Sequence, residues 1–130
     1  MESMSEPAPA NTSSAVYHIR WDEMPIESLN PLLDRQLAVG DQMMVARVIM
    51  KKGCVVPLHS HFNEQVTHVQ SGVLHFTIDC KEITVRAGEF LCIPPNVPHT
   101  AIALEDTIDI DIFTPPRADW LNKTDQYLRG

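Results

Sequence analysis

Pro57-Leu58-His59-Ser60-His61-Phe62-Asn63-Glu64-Gln65, near the middle of a 130-residue chain, is the stretch whose reading decides the rest. Side chains of an extended segment alternate between its two sides, so His59 and His61 are expected to present both imidazoles on one face. Gln65 can return to that face, and His99 arrives much later in the chain as a third imidazole. Three imidazoles and one amide oxygen make a ligand set suited to a divalent transition metal. A chain that uses them needs a scaffold able to bring two distant segments together.

The residues on either side supply strands. Upstream, Met43–Met50 is almost continuously apolar and reads as a strand buried on both faces, with Arg47 either a cavity-facing cation or a rim residue. Leu32–Val39 reads as another strand, ended by Gly40-Asp41, and Asp22–Pro31 as a connection. Ala15–Trp21 reads as a short edge strand that includes a surface histidine, His18. Downstream, Gln65–Val69 and Val73–Asp79 flank Gln70-Ser71-Gly72, a hairpin signal. Ile83–Val85, a turn at Ala87-Gly88-Glu89 and Phe90–Ile93 repeat the pattern. Pro94-Pro95-Asn96-Val97-Pro98 is a stiff loop leading into His99: proline fixes φ, and asparagine tolerates a left-handed conformation.

Thr107–Phe113 alternates sharply, with Ile108, Ile110 and Ile112 on one face and Thr107, Asp109, Asp111 and Phe113 on the other. The ordinary expectation is an oily inner face and an acidic, solvated outer one. In a small barrel the assignment reverses and the polar face looks into a cavity; the segment alone leaves both open. Thr114-Pro115-Pro116 breaks the strand, and Arg117–Lys123 has helical character, with Trp120 and Leu121 able to cover a barrel end. Short strands at close intervals, punctuated by Gly, Pro and Asn, specify an all-β sandwich or barrel.

Composition bounds the function. The chain has room for one domain over 15–130, and Met1–Ser14, rich in small residues, proline and serine, reads as a disordered leader without signal-peptide character. A formal charge of -7 disfavours nucleic acid and anionic membranes as partners. No apolar run approaches the roughly 20 residues of a membrane span. The three cysteines, Cys54, Cys80 and Cys92, are unclustered, which fits reduced thiols in a cytoplasmic protein. Cys54 lies near the histidines, and a small core residue is the expectation for it over a ligand.

Gly53, His59, His61 and Gly72 resemble the first motif of the cupins, and Gly88, Pro94 and His99 resemble the second. The resemblance covers roughly Met43 to Phe113. It implies a double-stranded β-helix, the cupin jelly-roll barrel, closed by a short C-terminal helical segment, with a metal inside its wider mouth. A lone histidine on a strand is more often structural, but three at motif spacing, with glycines and proline in register, favour a metal. Three departures stand out. Gln65 stands where cupins usually carry glutamate, Glu64 being left as a neighbouring or surface group. Asn96 replaces a glycine before the last histidine, and Ala103 replaces an asparagine after it. His68 and His75 fall outside the motifs and read as structural.

With the histidine–glutamine set, Asp111-Ile112-Phe113-Thr114-Pro115-Pro116-Arg117 is similar to the KdgF-type pectin-degradation cupins, which open the ring of 4,5-unsaturated monouronates to 4-deoxy-5-keto uronates. That resemblance implies His59, His61, Gln65 and His99 as metal ligands and Asp111, Phe113 and Arg117 as the catalytic set. It also implies a zinc, nickel, iron or manganese ion, a small anionic sugar-acid substrate and a homodimer. Strand parity independently puts Asp111 and Phe113 on one face. Two other functions fit the same motifs: a non-enzymatic cupin that binds a small anionic ligand, and a different cupin metalloenzyme, either a dioxygenase or a sugar-acid isomerase. A neutral amide ligand leaves a metal its full charge, which suits Lewis-acid chemistry better than oxygen activation.

Overall fold

Ten antiparallel strands in two sheets make up the computed structural model, which describes residues 15–129. The leader expected over 1–14 lies outside the described residues. The strands are β1 (Glu27–Asn30), β2 (Leu33–Val39), β3 (Met44–Met50), β4 (Val55–His59), β5 (Glu64–Ser71), β6 (Val73–Ile78), β7 (Lys81–Arg86), β8 (Phe90–Ile93), β9 (His99–Ala103) and β10 (Thr107–Thr114). One sheet has the order β1-β2-β3-β10-β5-β8 and the other β4-β9-β6-β7. A short helix, α1 (Ala118–Leu121), and a 3-10 turn at Gln126–Leu128 follow the last strand. This is the expected all-β jelly-roll barrel with a short C-terminal helical segment.

The core lies between the sheets. Met44, Val69, Leu74 and Ile93 are completely covered, and removing a side chain of this size from water is worth roughly 1.5–3 kcal/mol. The β5–β6 hairpin turns at Gly72, whose φ of 91° belongs to the region that side chains disfavour. A Cβ there would lie 2.4 Å from both the Asp106 carbonyl oxygen and Thr107 Oγ1, so the close strand crossing also demands glycine. Asn96 adopts a φ of 67°, as its place in the proline loop predicts.

Several sequence expectations are corrected. Ala15–Trp21 forms no strand; Tyr17 ties the segment down through its side chain, its hydroxyl donating to the Val39 carbonyl and accepting from the Val39 N–H. The supposed connection 22–31 contains β1, which fits between Pro25 and Pro31 because neither proline has to donate to the ladder. β3 is fully buried on one side only: Met44, Ala46, Val48 and Met50 point inward, while Val45, Arg47 and Ile49 are half-buried on the outer side. Arg47 is therefore no cavity cation. It donates to Gln36 Oε1 at 2.8 Å on the neighbouring strand.

β10 lies between β3 and β5, and there the less ordinary assignment holds. Thr107, Asp109, Asp111 and Phe113 are buried, and the three isoleucines are half-buried on the outer face. Two aspartates thus enter the barrel interior.

Candidate metal centre

His59 ends β4 and pairs across the ladder with His99, the first residue of β9. Proline has no N–H to give, and the β4–β9 register shifts between Val56 and His59, across Pro57. His61 lies beyond the strand, so the shared-face argument does not apply to it; a loop brings it in. That loop is fixed at both ends. The His61 carbonyl accepts from the Asn96 N–H at 2.7 Å, and buried Asn63 donates from Nδ2 to the Pro115 carbonyl at 2.6 Å. One ligand atom from each of His59, His61 and His99 lies within 4.8 Å of the others.

The rings are oriented by their own backbone. Nδ1 of His59 faces the Pro57 carbonyl at 2.8 Å, Nδ1 of His61 the Asn63 carbonyl at 3.0 Å, and Nδ1 of His99 the Val97 carbonyl at 2.8 Å. A carbonyl only accepts, so each Nδ1 carries the proton and each Nε2 keeps a free lone pair, the arrangement that metal-bound histidines use. Burial, aided by the neighbouring imidazoles and Arg117, pushes His59 and His61 down to about 4, and burial with Arg117 lowers His99. Neutral rings are the form that binds metal.

Gln65, on β5 and buried, places a side-chain oxygen beside the three histidines. Its Nε2 donates to Thr67 Oγ1 at 2.7 Å and lies 3.4 Å from Asp111 Oδ1, so its Oε1 is the atom turned toward the histidines, 3.0 Å from His61 Nε2. A neutral His61 has one proton for two oxygen neighbours, Asn63 O and Gln65 Oε1. One lone pair must then oppose another, and the depressed pKa disfavours a second proton. A cation held jointly by Nε2 and Oε1 removes that conflict. The donor set fits a divalent transition metal. Glu64 is exposed and points away, and the buried Cys54 thiol is not part of the group.

Register sets the next layer. Phe113 lies opposite Gln65 and Asp111 opposite Thr67 on the paired strands β10 and β5. Thr67 Oγ1 donates to Asp111 Oδ1 at 2.7 Å. Burial raises the Asp111 pKa, opposed by hydrogen bonds from Thr67 and Asp109, by the Arg117 charge and by Gln65; burial, the Asp111 charge and the bond to Asp111 raise Asp109 well above the usual carboxylate range. Asp109, Asp111, His59, Gln65 and His99 border one partly open cavity of about 40 Å³. Phe113 packs edge-on against His61, with ring centroids 5.7 Å apart, and the Arg117 guanidinium lies 5.1 Å from the Phe113 ring. Arg117 is buried, and Nε and Nη2 donate to the Asp119 carboxylate. His68 is exposed, and His75 bonds Thr84 and Glu82 away from the site.

Asn63, Thr67, Asp109 and Tyr127 are site residues that the sequence reading did not single out. Parity along β5 was a usable signal for Thr67, and parity along β10 for Asp109. Nothing local announces Asn63 or Tyr127, whose positions depend on segments far away in sequence.

Residues 46–113 match the cupin domain family model. The chain belongs to the cupins. It is similar in structure to an RmlC-like cupin from Shewanella frigidimarina, with 27% identity and a TM-score of 0.77 over 84% of this chain and 99% of that one. KdgF from a Halomonas species is 26% identical, with a TM-score of 0.73 over 78% of this chain and 96% of that one. A predicted oxalate decarboxylase from Thermotoga maritima, 14% identical with a TM-score of 0.67 over 77% of this chain and 99% of that one, shares the fold. No functionally curated protein is significantly similar in sequence. Cupins include enzymes, and the histidine cluster is a candidate metal site of this one. No described helix is long and apolar enough to cross a membrane.

Proposed function

We propose that this cupin opens the ring of 4,5-unsaturated monouronates, giving linear 4-deoxy-5-keto uronates. The observation that carries the reading is the hydrogen-bonded line from Gln65 through Thr67 to Asp111, which joins a metal-ligand set to a buried carboxylate of raised pKa. Similarity to KdgF adds weight.

The reaction is an isomerisation. The hemiacetal hydroxyl gives up a proton, the bond from the anomeric carbon to the ring oxygen breaks, and the freed enol becomes a ketone as C4 takes a proton. Asp111 is the group that accepts and returns protons, since a carboxyl lifted toward neutrality serves as both base and acid. Thr67 holds one of its oxygens, and neighbouring Asp109 shares its proton traffic. Arg117 draws the substrate carboxylate by charge, and Phe113 forms an apolar wall beside His61. His59, His61, Gln65 and His99 would hold zinc, nickel, iron or manganese, a Lewis acid that polarises ring or hydroxyl oxygens.

The test is incubation of metal-loaded protein with unsaturated galacturonate while following loss of the double-bond absorbance. Decay of that absorbance is expected; none with any of the four metals would leave a cupin that only binds a small anionic ligand. Oxygen consumption with iron would instead point to a dioxygenase. A cytoplasmic homodimer completes the reading, and light scattering should give twice the 14.6 kDa chain mass. A single-chain mass at micromolar concentration would remove the dimer.

A further inference from the structure

The segment after β10 lies outside the matched residues 46–113 and folds back onto the histidines. One buried ion pair, one half-buried ion pair and an amide hydrogen bond fix it. Arg35 Nη1 donates to Asp125 Oδ2 at 2.7 Å, Arg129 Nε to Asp125 Oδ1 at 2.8 Å, and Asn30 Nδ2 to the Leu128 carbonyl at 2.8 Å. Arg35 and Asp125 are each 1% exposed, so this anchor is part of the folded interior. Between its fixed points stands Tyr127. Its ring stacks on His59, with centroids 4.6 Å apart and planes inclined by 26°. Its hydroxyl oxygen accepts from Arg117 Nη2 at 2.7 Å and from Trp120 Nε1 at 3.2 Å.

Two donors fill the lone pairs of that oxygen, and the hydroxyl's own proton finds no acceptor among the described residues. Arg117 is similarly half-used. Nε and Nη2 serve Asp119, Nη2 also serves Tyr127, and Nη1 makes no hydrogen bond among the described residues. Asp109 Oδ1 is the one fully covered side-chain polar atom left without a partner among them, so Nη1 keeps a small exposed area although the Arg117 side chain is only 2% exposed. A phenol O–H and a guanidinium Nη1, joined through Nη2, thus have donors to spare beside the metal ligands.

We propose that Tyr127 is a ligand-binding residue of this site, its hydroxyl and Arg117 Nη1 forming a two-donor clamp for a sugar carboxylate while its ring holds the His59 imidazole in place. The inference rests on the ring-opening reading only for the identity of the ligand. A carboxylate has acceptor lone pairs for both donors, whereas a neutral sugar offers hydroxyls that satisfy a charged N–H poorly. The clamp therefore selects acids. It also leaves the half-buried Arg117–Asp119 pair intact.

The experiment compares wild type, Tyr127→Phe and Tyr127→Leu on three measurements: metal affinity by chelator competition, calorimetric binding of D-galacturonate and of galactose to metal-loaded protein, and turnover of unsaturated galacturonate. Tyr127→Phe should keep wild-type metal affinity, because the stacked ring remains, and bind galacturonate about tenfold more weakly. Tyr127→Leu should also lose about tenfold in metal affinity. The clamp is overturned if Tyr127→Phe binds galacturonate as wild type does, if wild type binds galactose equally well, or if metal-loaded wild type binds no galacturonate. The role of the ring is overturned if Tyr127→Leu holds metal as tightly as wild type. Wild type that binds galacturonate but leaves the unsaturated uronate unconsumed refutes ring opening and leaves the clamp standing.

Discussion

Asp111 occupies a position where a small chemical change separates two roles. Asparagine keeps its size and can still accept from Thr67, but it neither takes up nor releases a proton at neutral pH. Asp111→Asn should retain wild-type metal content and thermal midpoint while losing about 10²–10⁴-fold in kcat; unchanged turnover would remove Asp111 from the chemistry. The imidazoles give a second residue-scale prediction. A proton competes with metal at a histidine only below the folded pKa, and burial has moved His59 and His61 from the ordinary 6.5 down to about 4. Metal affinity should therefore stay nearly flat from pH 7.5 to 5.5 and fall as pH approaches 4. Chelator competition across that range checks this, and a decline starting near pH 6.5 would mean the rings keep ordinary basicity. The clustering of His59, His61 and His99 was legible because motif spacing survives in sequence. Tyr127 was not, because its place depends on Arg35 and Asp125, ninety residues apart in the chain and 2.7 Å apart in the fold.

At the scale of elements, strand periodicity carried most of the fold, and it failed where side chains rather than ladders hold the chain. Tyr17 anchors 15–20 to β2 without a strand, and Pro25 and Pro31 mark the ends of β1 although they looked like signs of a loop. β10 shows a subtler limit. Alternation reveals two faces but not which one turns inward; that depends on the second sheet closing over Asp109 and Asp111 and on Thr67 arriving opposite Asp111. The β5–β6 turn offers a direct test. Gly72→Ala combines a disfavoured φ with a Cβ placed 2.4 Å from the Asp106 carbonyl oxygen and Thr107 Oγ1. Strain and overpacking together should cost about 3 kcal/mol, read as a lowered urea midpoint with unchanged slope. A loss below about 0.5 kcal/mol would show that the crossing relaxes easily, and the glycine would then have no packing reason to be there.

The metal set has a consequence for the whole molecule that no single ligand discloses. His59 on β4 and His99 on β9 belong to the four-stranded sheet, whereas Gln65 on β5 belongs to the six-stranded one, and His61 lies on the loop that crosses between them. An ion held by all four would therefore tie the two sheets together. An unfolded chain presents no such preformed set, so binding favours the folded state by RT ln(1 + [M]/Kd), about 2.7 kcal/mol when free metal is a hundred times Kd. Adding metal to chelator-stripped protein should raise the thermal midpoint by several degrees, increasingly with metal concentration. Gln65→Leu tests that tie through affinity. It leaves three histidines able to hold metal, but all within the four-stranded sheet and its adjoining loop. At one fixed free-metal concentration, a hundred times the wild-type Kd, the variant should gain less than wild type, because loss of the cross-sheet donor raises its Kd. A gain equal to that of wild type would mean that Gln65 adds nothing to the hold on metal. The smaller gain is expected, because among the described residues Gln65 is the one candidate ligand that the six-stranded sheet contributes.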